Sequence, residues 1–324
     1  MGEFDLIARY FTRPVRRAAL GVGDDCALLA LAPGMQLAVS SDMLVEGRHF
    51  FADVAPEALG HKALAVNLSD LAACGARPLA FTLALALPHI DEAWLAGFSR
   101  GLLALADEHA CELIGGDTTQ GPLNICITVF GEVPAGQALL RSGARPGDDL
   151  YVSGTLGDAR LALEALQGRI TLPADLLAQA RQRLERPTPR VALGQALRGV
   201  ASSAMDVSDG LLGDVSHLLK ASGVGACIHT EITQQLIAAR ASLVSASGLF
   251  DTKLIDQCTL AGGDDYELVF TAPLARRNAV TIASRASETP VTRIGTIQAQ
   301  AGLRLLDAQG KTVENGYASF DHFG

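Results

Sequence analysis

The sequence predicts a mixed α/β protein of two domains, and three observations carry that prediction. Apolar and β-branched runs alternate with segments of helical periodicity, which favours neither a helical bundle nor a β-sandwich. At 324 residues the chain is long for a single core and suits two units of about 150 residues each. The turn-rich stretch RSGARPGDD at 141–149 divides it, giving expected domains at 1–140 and 141–324.

The elements follow in order. Strand-like runs lie at 37–41 (LAVSS), 81–87 (FTLALAL), 124–133 (NICITVFGEV), 149–154 (DLYVSG), 266–270 (YELVF) and 291–297 (VTRIGTI). Helical patterns fill 57–74, 91–110, 158–167, 174–185, 210–221 and 273–286. Within 91–110, Trp94, Phe98, Leu102 and Leu105 recur at helical spacing and form one apolar face.

Composition narrows the function. No apolar run approaches the ~18 residues of a membrane-spanning helix. The start, MGEFDLIARYF, lacks the basic and apolar stretches of a signal peptide, so a cytoplasmic protein with no membrane partner is expected. Six scattered cysteines without a C-x-x-C pair suggest neither a zinc knuckle nor a disulfide framework; reduced core residues are expected. A net charge of −9 without a basic run argues against nucleic acid. An anionic substrate would need cations to reach such a protein.

The aspartates carry the chemistry. Asp24 and Asp25 sit side by side in LGVGDDCALL between a glycine turn and an apolar run that reads as buried. Asp42 ends LAVSSD, Asp70 lies in AVNLSDLAACGA and Asp117 follows LIGG. Asp206 and Asp209 lie in AMDVSDG, and Asp264 and Asp265 follow LAGG. Strand ends and helix starts are where α/β folds place their sites. On the apolar helix around Asp70, Asn67 and Asp70 share a face; they form either a satisfied core pair or part of a site. Ser208 is expected to cap the following helix, with Asp209 favouring its dipole. Like charges 4 Å apart cost about 4 kcal/mol at an effective dielectric near 20, so converging aspartates require cations. Oxygen donors without His or Cys select hard ions, Mg²⁺ first where phosphate shares the coordination.

Familiar phosphate motifs are absent. GKT at 310–312 lacks the first glycine of a P-loop and reads as a turn between strands. G-x-G-x-x-G fails after Gly23, DHFG is not the protein-kinase D-F-G, and no G-x-S-x-G elbow occurs.

Eight blocks occur in a recognisable order: GVGDDCALL, SSDMLVEGRHF, HKALAVNLSDLAACGARPLAFTLALALP, LIGGDTTQGP, LRSGARPGDDLYVSGTLGDA, AMDVSDGLLGDV, GGDDYELVF and GYASFDHF. From near residue 3 to residue 323 the chain resembles the thiamine-monophosphate kinase family. The resemblance implies a two-domain fold like that of aminoimidazole ribonucleotide synthetase, with an N-terminal ATP- and Mg²⁺-binding domain whose sheet pairs with its copy in a homodimer. It implies phosphoryl transfer from ATP to the phosphate of thiamine monophosphate, giving thiamine diphosphate. Carried over by position, Asp25, Ser40, Ser41, Asp42, Asp70, Asp117, Asp206 and Asp209 would hold several Mg²⁺ ions, with Asp24 adjacent. Gly116, Arg141 and Ser208 would contact ATP; His49, Asp264 and Tyr317 would contact thiamine monophosphate. Three positions depart from the pattern. Ser41 replaces a frequent Thr, Arg48 stands where a small or apolar residue is common, and Asp264 is one methylene shorter than the frequent Glu.

The residue types suit that chemistry, although each has a plainer reading. Arg141 can fork onto phosphate or be a surface turn arginine. His49 can touch substrate or bond backbone. Tyr317 can lie against the thiamine cation or simply pack, while Lys62 is expected to be solvated. The acceptor phosphate ionises with a second pKa near 6, so no general base is expected. Two other readings stay open: another ATP-dependent synthetase of the same superfamily, and a non-enzymatic divalent-cation protein.

Overall fold

The computed structural model describes residues 2–238, 252–314 and 316–317. The chain divides into two compact units, Met1–Leu71 with Ala76–Ala138, and Ala72–Gly75 with Leu139–Gly324.

The first unit contains α1 (Glu3–Tyr10), β1 (Met35–Val45), α2 (Pro56–Ala73, its last two residues counted with the other unit), β2 (Arg77–Leu87), α3 (Glu92–Glu108), β3 (Glu112–Gln120) and β4 (Asn124–Pro134). Its sheet has the order β1-β4-β2-β3, antiparallel except for the parallel β2–β3 pair joined through α3. Helix α3 starts where Asp91 accepts the N–H groups of Ala93 and Trp94. The expected apolar face is present, with Phe98 and Leu102 fully buried; enclosing Phe98 contributes about 2 kcal/mol. Glycines let α2 and α3 approach closely: a Cβ on Gly101 would stand 1.9 Å from the Glu57 carbonyl, and one on Gly60 would stand 2.1 Å from that of Phe98.

The second unit contains β5 (Asp149–Ser153), α4 (Asp158–Leu166), α5 (Ala174–Glu185), α6 (Val191–Ala196), β6 (Ser203–Val207), α7 (Leu211–Ser222), β7 (Gly225–His229) and α8 (Thr230–Thr233). It continues with α9 (Thr252–Ala261), β8 (Glu267–Ala272), α10 (Arg277–Ala286), β9 (Val291–Gln298), β10 (Gly302–Leu306) and β11 (Thr312–Val313). The seven strands run β11-β10-β7-β9-β5-β8-β6, with β10–β7 the parallel pair. Strands β5, β6 and β8 are buried at every residue, so they read as short apolar runs without alternation. The GKT stretch is the expected turn: Asp307 accepts the Gln309 and Lys311 N–H groups between β10 and β11.

Two side-chain expectations are corrected. Lys62 is 3% exposed, because its helix is buried along most of its length, and its ammonium donates to the His49 carbonyl at 3.4 Å. Cys26 is exposed, unlike the buried Cys111, Cys227 and Cys258, because it lies on an irregular arm outside the packed elements.

Candidate functional site

In the first unit, strand alternation sorts the candidate ligands. Ser40 faces α2 and donates its hydroxyl to the Asp70 carboxylate. Asp42 shares that parity, and its N–H donates to Asn67 Oδ1 at 3.1 Å. Asn67 in turn donates to the Ala63 carbonyl at 3.0 Å. The amide and carboxylate read from the sequence as one helix face therefore both tie α2 to β1. Ser41 lies on the other face, its Oγ 3.2 Å from the Ile127 carbonyl and 3.0 Å from Thr128 Oγ1. The structure does not bring the Ser41 hydroxyl to Asp70.

Register carries the site across the sheet. Asp42, Ile127, Leu83 and Gly116 stand in one row over all four strands, and Asp117 follows in the next. Gly116 has φ +149°, and a Cβ there would meet the Leu83 carbonyl at 1.8 Å, so only glycine fits. Asp117 is exposed.

Beyond β1 the chain turns back on itself, and the Val45 N–H donates to His49 Nδ1 at 3.0 Å. That bond fixes the tautomer with its proton on Nε2. Asp24 and Asp25 are exposed, and the Asp25 N–H donates to Asp24 Oδ1 at 2.9 Å. The flanking run is open too, with Leu28 57% exposed, contrary to the burial expected. The arm carries only isolated bridges, such as Leu20 with Leu28, which leave alternate residues uncovered.

In the second unit, the candidates gather where β6 runs into α7. Asp206 is buried on β6 opposite Leu268. The helix begins at Leu211 with Gly210 as its N-cap, so Ser208 is too early to cap it. Instead Asp214, one turn into α7, reaches back, and its Oδ2 accepts the N–H groups of Ser208, Asp209 and Gly210 at 3.1, 3.2 and 3.1 Å. Burial, helped by the nearby Asp209 charge, pushes the Asp214 carboxyl up to about 7. Sequence reasoning missed Asp214. Its signal was an acid within the apolar stripe of Leu211, Val215 and Leu218.

Across this turn lies the loop that follows α9. The Asp264 N–H donates to the Ser208 carbonyl and the Tyr266 N–H to the Val207 carbonyl, each at 2.9 Å. Asp264 and Tyr266 adopt left-handed backbone, φ 66° and 52°, a cost of about 1–2 kcal/mol each. Tyr266 also donates its hydroxyl to Asp264 Oδ1 at 3.4 Å. The loop thus sets Asp264 directly against Ser208 and Asp209.

Its neighbours point inward as structural anchors. Asp265 accepts the Gly157 N–H with both oxygens at 3.0 Å, and burial holds its carboxyl well above the usual range. Glu267 receives Ser153 at 2.5 Å, Arg183 at 2.8 Å and a two-pronged contact from Arg190. The second unit carries two further candidates. Arg141 is exposed, and its carbonyl accepts from Ser222 Oγ at 3.1 Å. Tyr317 packs against the core and its hydroxyl lies 3.4 Å from Asp256, whose carboxyl is raised by burial.

The donors suit a hard cation. They are carboxylates and the Ser40 hydroxyl. Among the described residues, no three His, Cys, Asp or Glu side chains form a cluster able to hold a metal alone. Such a set fits Mg²⁺, which keeps waters and takes substrate phosphate oxygens to complete its octahedron.

Comparison with known proteins agrees in both units. Residues 23–133 match the family model "AIR synthase related protein, N-terminal domain", and residues 145–307 match its C-terminal counterpart. The chain is 46% identical to the thiamine-monophosphate kinase of Salmonella typhimurium over 99% of this chain and 98% of that one. The crystal structure of the thiamine-monophosphate kinase from Stenotrophomonas maltophilia is 44% identical, covers 96% of each chain and superposes with a TM-score of 0.82. The structure of AaThiL complexed with AMPPCP and TMP is 31% identical, covers 91% of this chain and 89% of that one, and has a TM-score of 0.77. With a fold, a motif order and an identity that run the length of its relatives, the chain belongs to the thiamine-monophosphate kinase family of AIR synthase related proteins.

Proposed function

We propose that the protein transfers the γ-phosphoryl group of ATP to the phosphate of thiamine monophosphate, releasing ADP and thiamine diphosphate. One observation carries this reading. The residue assigned to the acceptor, Asp264, is bonded through its N–H to Ser208, and Ser208 and Asp209 are the residues assigned to nucleotide and metal. The complex of AaThiL with AMPPCP and TMP, and the 46% identity to the Salmonella enzyme, support the substrates.

Donor and acceptor are both polyanions, so their repulsion is the barrier to be lowered. Asp25, Ser40, Asp42, Asp70 and Asp117 of the first unit, and Asp206 and Asp209 of the second, would hold Mg²⁺, which would supply positive charge against the developing phosphate oxygens. The chain does the positioning. Gly116 keeps its backbone clear for close approach, Ser208 offers its hydroxyl while Asp214 occupies its N–H, and Arg141 forks onto phosphate. His49 presents its Nε2 proton as a donor to the acceptor phosphate. Tyr317 would lie against the cationic thiamine ring. No side chain removes a proton, because the acceptor is already ionised at neutral pH.

The protein acts as a homodimer through the first sheet. Leu37, Val39 and Met43 share one face of the edge strand β1 with Ser41 and are 47%, 54% and 53% exposed, a row that a second copy would cover. Among the described residues no helix is long and apolar enough to cross a membrane. A cytoplasmic setting, where ATP and Mg²⁺ are present, fits the reaction.

The test is incubation with ATP, Mg²⁺ and thiamine monophosphate, followed by chromatography. Thiamine diphosphate and ADP should appear in equal amounts. Product from unphosphorylated thiamine, or ATP hydrolysis without thiamine diphosphate, would refute the assignment.

A further inference from the structure

The Asp206–Gly210 turn poses a physical problem. On the kinase reading it presents Asp206 and Asp209 as neighbouring carboxylates, yet it is irregular backbone between a buried strand and a helix, with N–H groups of its own to satisfy. Left without an acceptor, those N–H groups would cost the turn its fixed form and let the Asp209 side chain shift with it. The chain prevents this with Asp214. Its Oδ2 receives the Ser208, Asp209 and Gly210 N–H groups together, so those donors are already used. Gly210 is pinned as well, with φ +120° and no room for a Cβ beside Ala261 at 2.8 Å. The turn is closed from the other side by the Asp264 N–H on the Ser208 carbonyl.

We infer that Asp214 is a positioning residue for metal binding, holding the Ser208–Gly210 backbone so that the Asp209 carboxylate is set where a divalent cation can take it. This rests on the kinase reading only for the identity of the phosphates that share the cation. The placement of Asp209 is a property of the turn itself.

The test uses the full chain with Mn²⁺ as a probe, read by the paramagnetic resonance of the free ion, alongside turnover against Mg²⁺ concentration. Asp214→Leu keeps about the side chain's size but removes both oxygens, and with them the acceptor of all three N–H groups. Expected are a weakening of Mn²⁺ binding by about tenfold or more and a matching rise in the Mg²⁺ needed for half-maximal rate, with KM for thiamine monophosphate unchanged. Asp149→Asn, a buried carboxylate bound to Arg277 and Arg293 and outside the site, serves as the control for lost stability. It should melt lower yet bind Mn²⁺ as the unmodified protein does. If Asp214→Leu does not fold, Asp214→Glu keeps the charge, displaces the acceptor by a methylene and should give the same loss. Unchanged Mn²⁺ binding in a folded Asp214 variant overturns the inference, and so does an equal loss in Asp149→Asn. Failure of the unmodified protein to make thiamine diphosphate while Mn²⁺ binding follows Asp214 overturns the kinase reading alone.

Discussion

The two units hold their acidic residues by different means. In the first, regular elements do the work: alternation along β1 turns Ser40 and Asp42 toward α2, and a three-residue helical spacing sets Asn67 and Asp70 to meet them. In the second, irregular backbone does it, through three N–H groups converging on Asp214 and a loop with two left-handed non-glycine residues. A site on periodic elements inherits its geometry from the fold. One on loops must carry its own supports, and mutations should expose the difference.

The largest effect is expected at the periodic site. Asp42→Asn removes a carboxylate without disturbing the Asp42 N–H bond to Asn67, so the fold should survive while kcat/KM falls about a thousandfold. Steady-state kinetics and a melting curve check both halves. Near-normal turnover would remove Asp42 from the metal set.

Gly116→Ala should come next, as a loss of stability. The new Cβ would collide with the Leu83 carbonyl at 1.8 Å, and neither strand of the parallel pair can yield without breaking the ladder. A destabilisation of about 2–3 kcal/mol is expected in urea unfolding. An unchanged midpoint would mean that the row from Asp42 to Gly116 is looser than its register implies.

What the sequence made legible follows the same division. Helix α3 and the shared face of Asn67 and Asp70 were readable because apolar and polar residues recur at fixed intervals. Even the place of Ser41 was available in principle, since period-two alternation separates it from Ser40. Strand β3 was not readable, because Gly115 and Gly116 interrupt a short apolar run. Strands β6 and β7, five residues each, carry too little pattern to separate from a helix. Lys62 was misjudged because α2 is buried all round, and no periodicity marks a solvent side. Asp214 and the left-handed loop were hidden for another reason. Their geometry is fixed by backbone donors meeting across the fold, and backbone is the same for every sequence.

A smaller effect distinguishes supports outside the site. Asp149, 1% exposed at its side chain, is held by half-exposed Arg277 and Arg293, which keep its carboxyl below the usual carboxylate range. A lowered folded pKa gives stability that is full above the unfolded value, near 4, and is lost as pH falls through the folded one. The stability gap between the unmodified protein and Asp149→Asn should therefore be about 1–2 kcal/mol at pH 7 and close below pH 4. Urea midpoints across that range test it. A gap that stays constant would mean that packing, not charge, makes the difference.

The smallest effect is the most discriminating, because it changes sign between stability and function. Asp264 is held at φ 66°, where a side chain costs about 1–2 kcal/mol and glycine costs nothing sterically. Asp264→Gly relieves that strain but adds unfolded-state entropy of about 0.5–1 kcal/mol, so stability should rise slightly, by less than about 1 kcal/mol. Turnover should move the other way, through a higher KM for thiamine monophosphate with little change in KM for ATP. Strain retained where it costs stability is understandable only if the carboxylate is needed there. A variant that is both more stable and equally active would show that the loop holds Asp264 for no chemical purpose, leaving Ser208 and Asp209 to act without it.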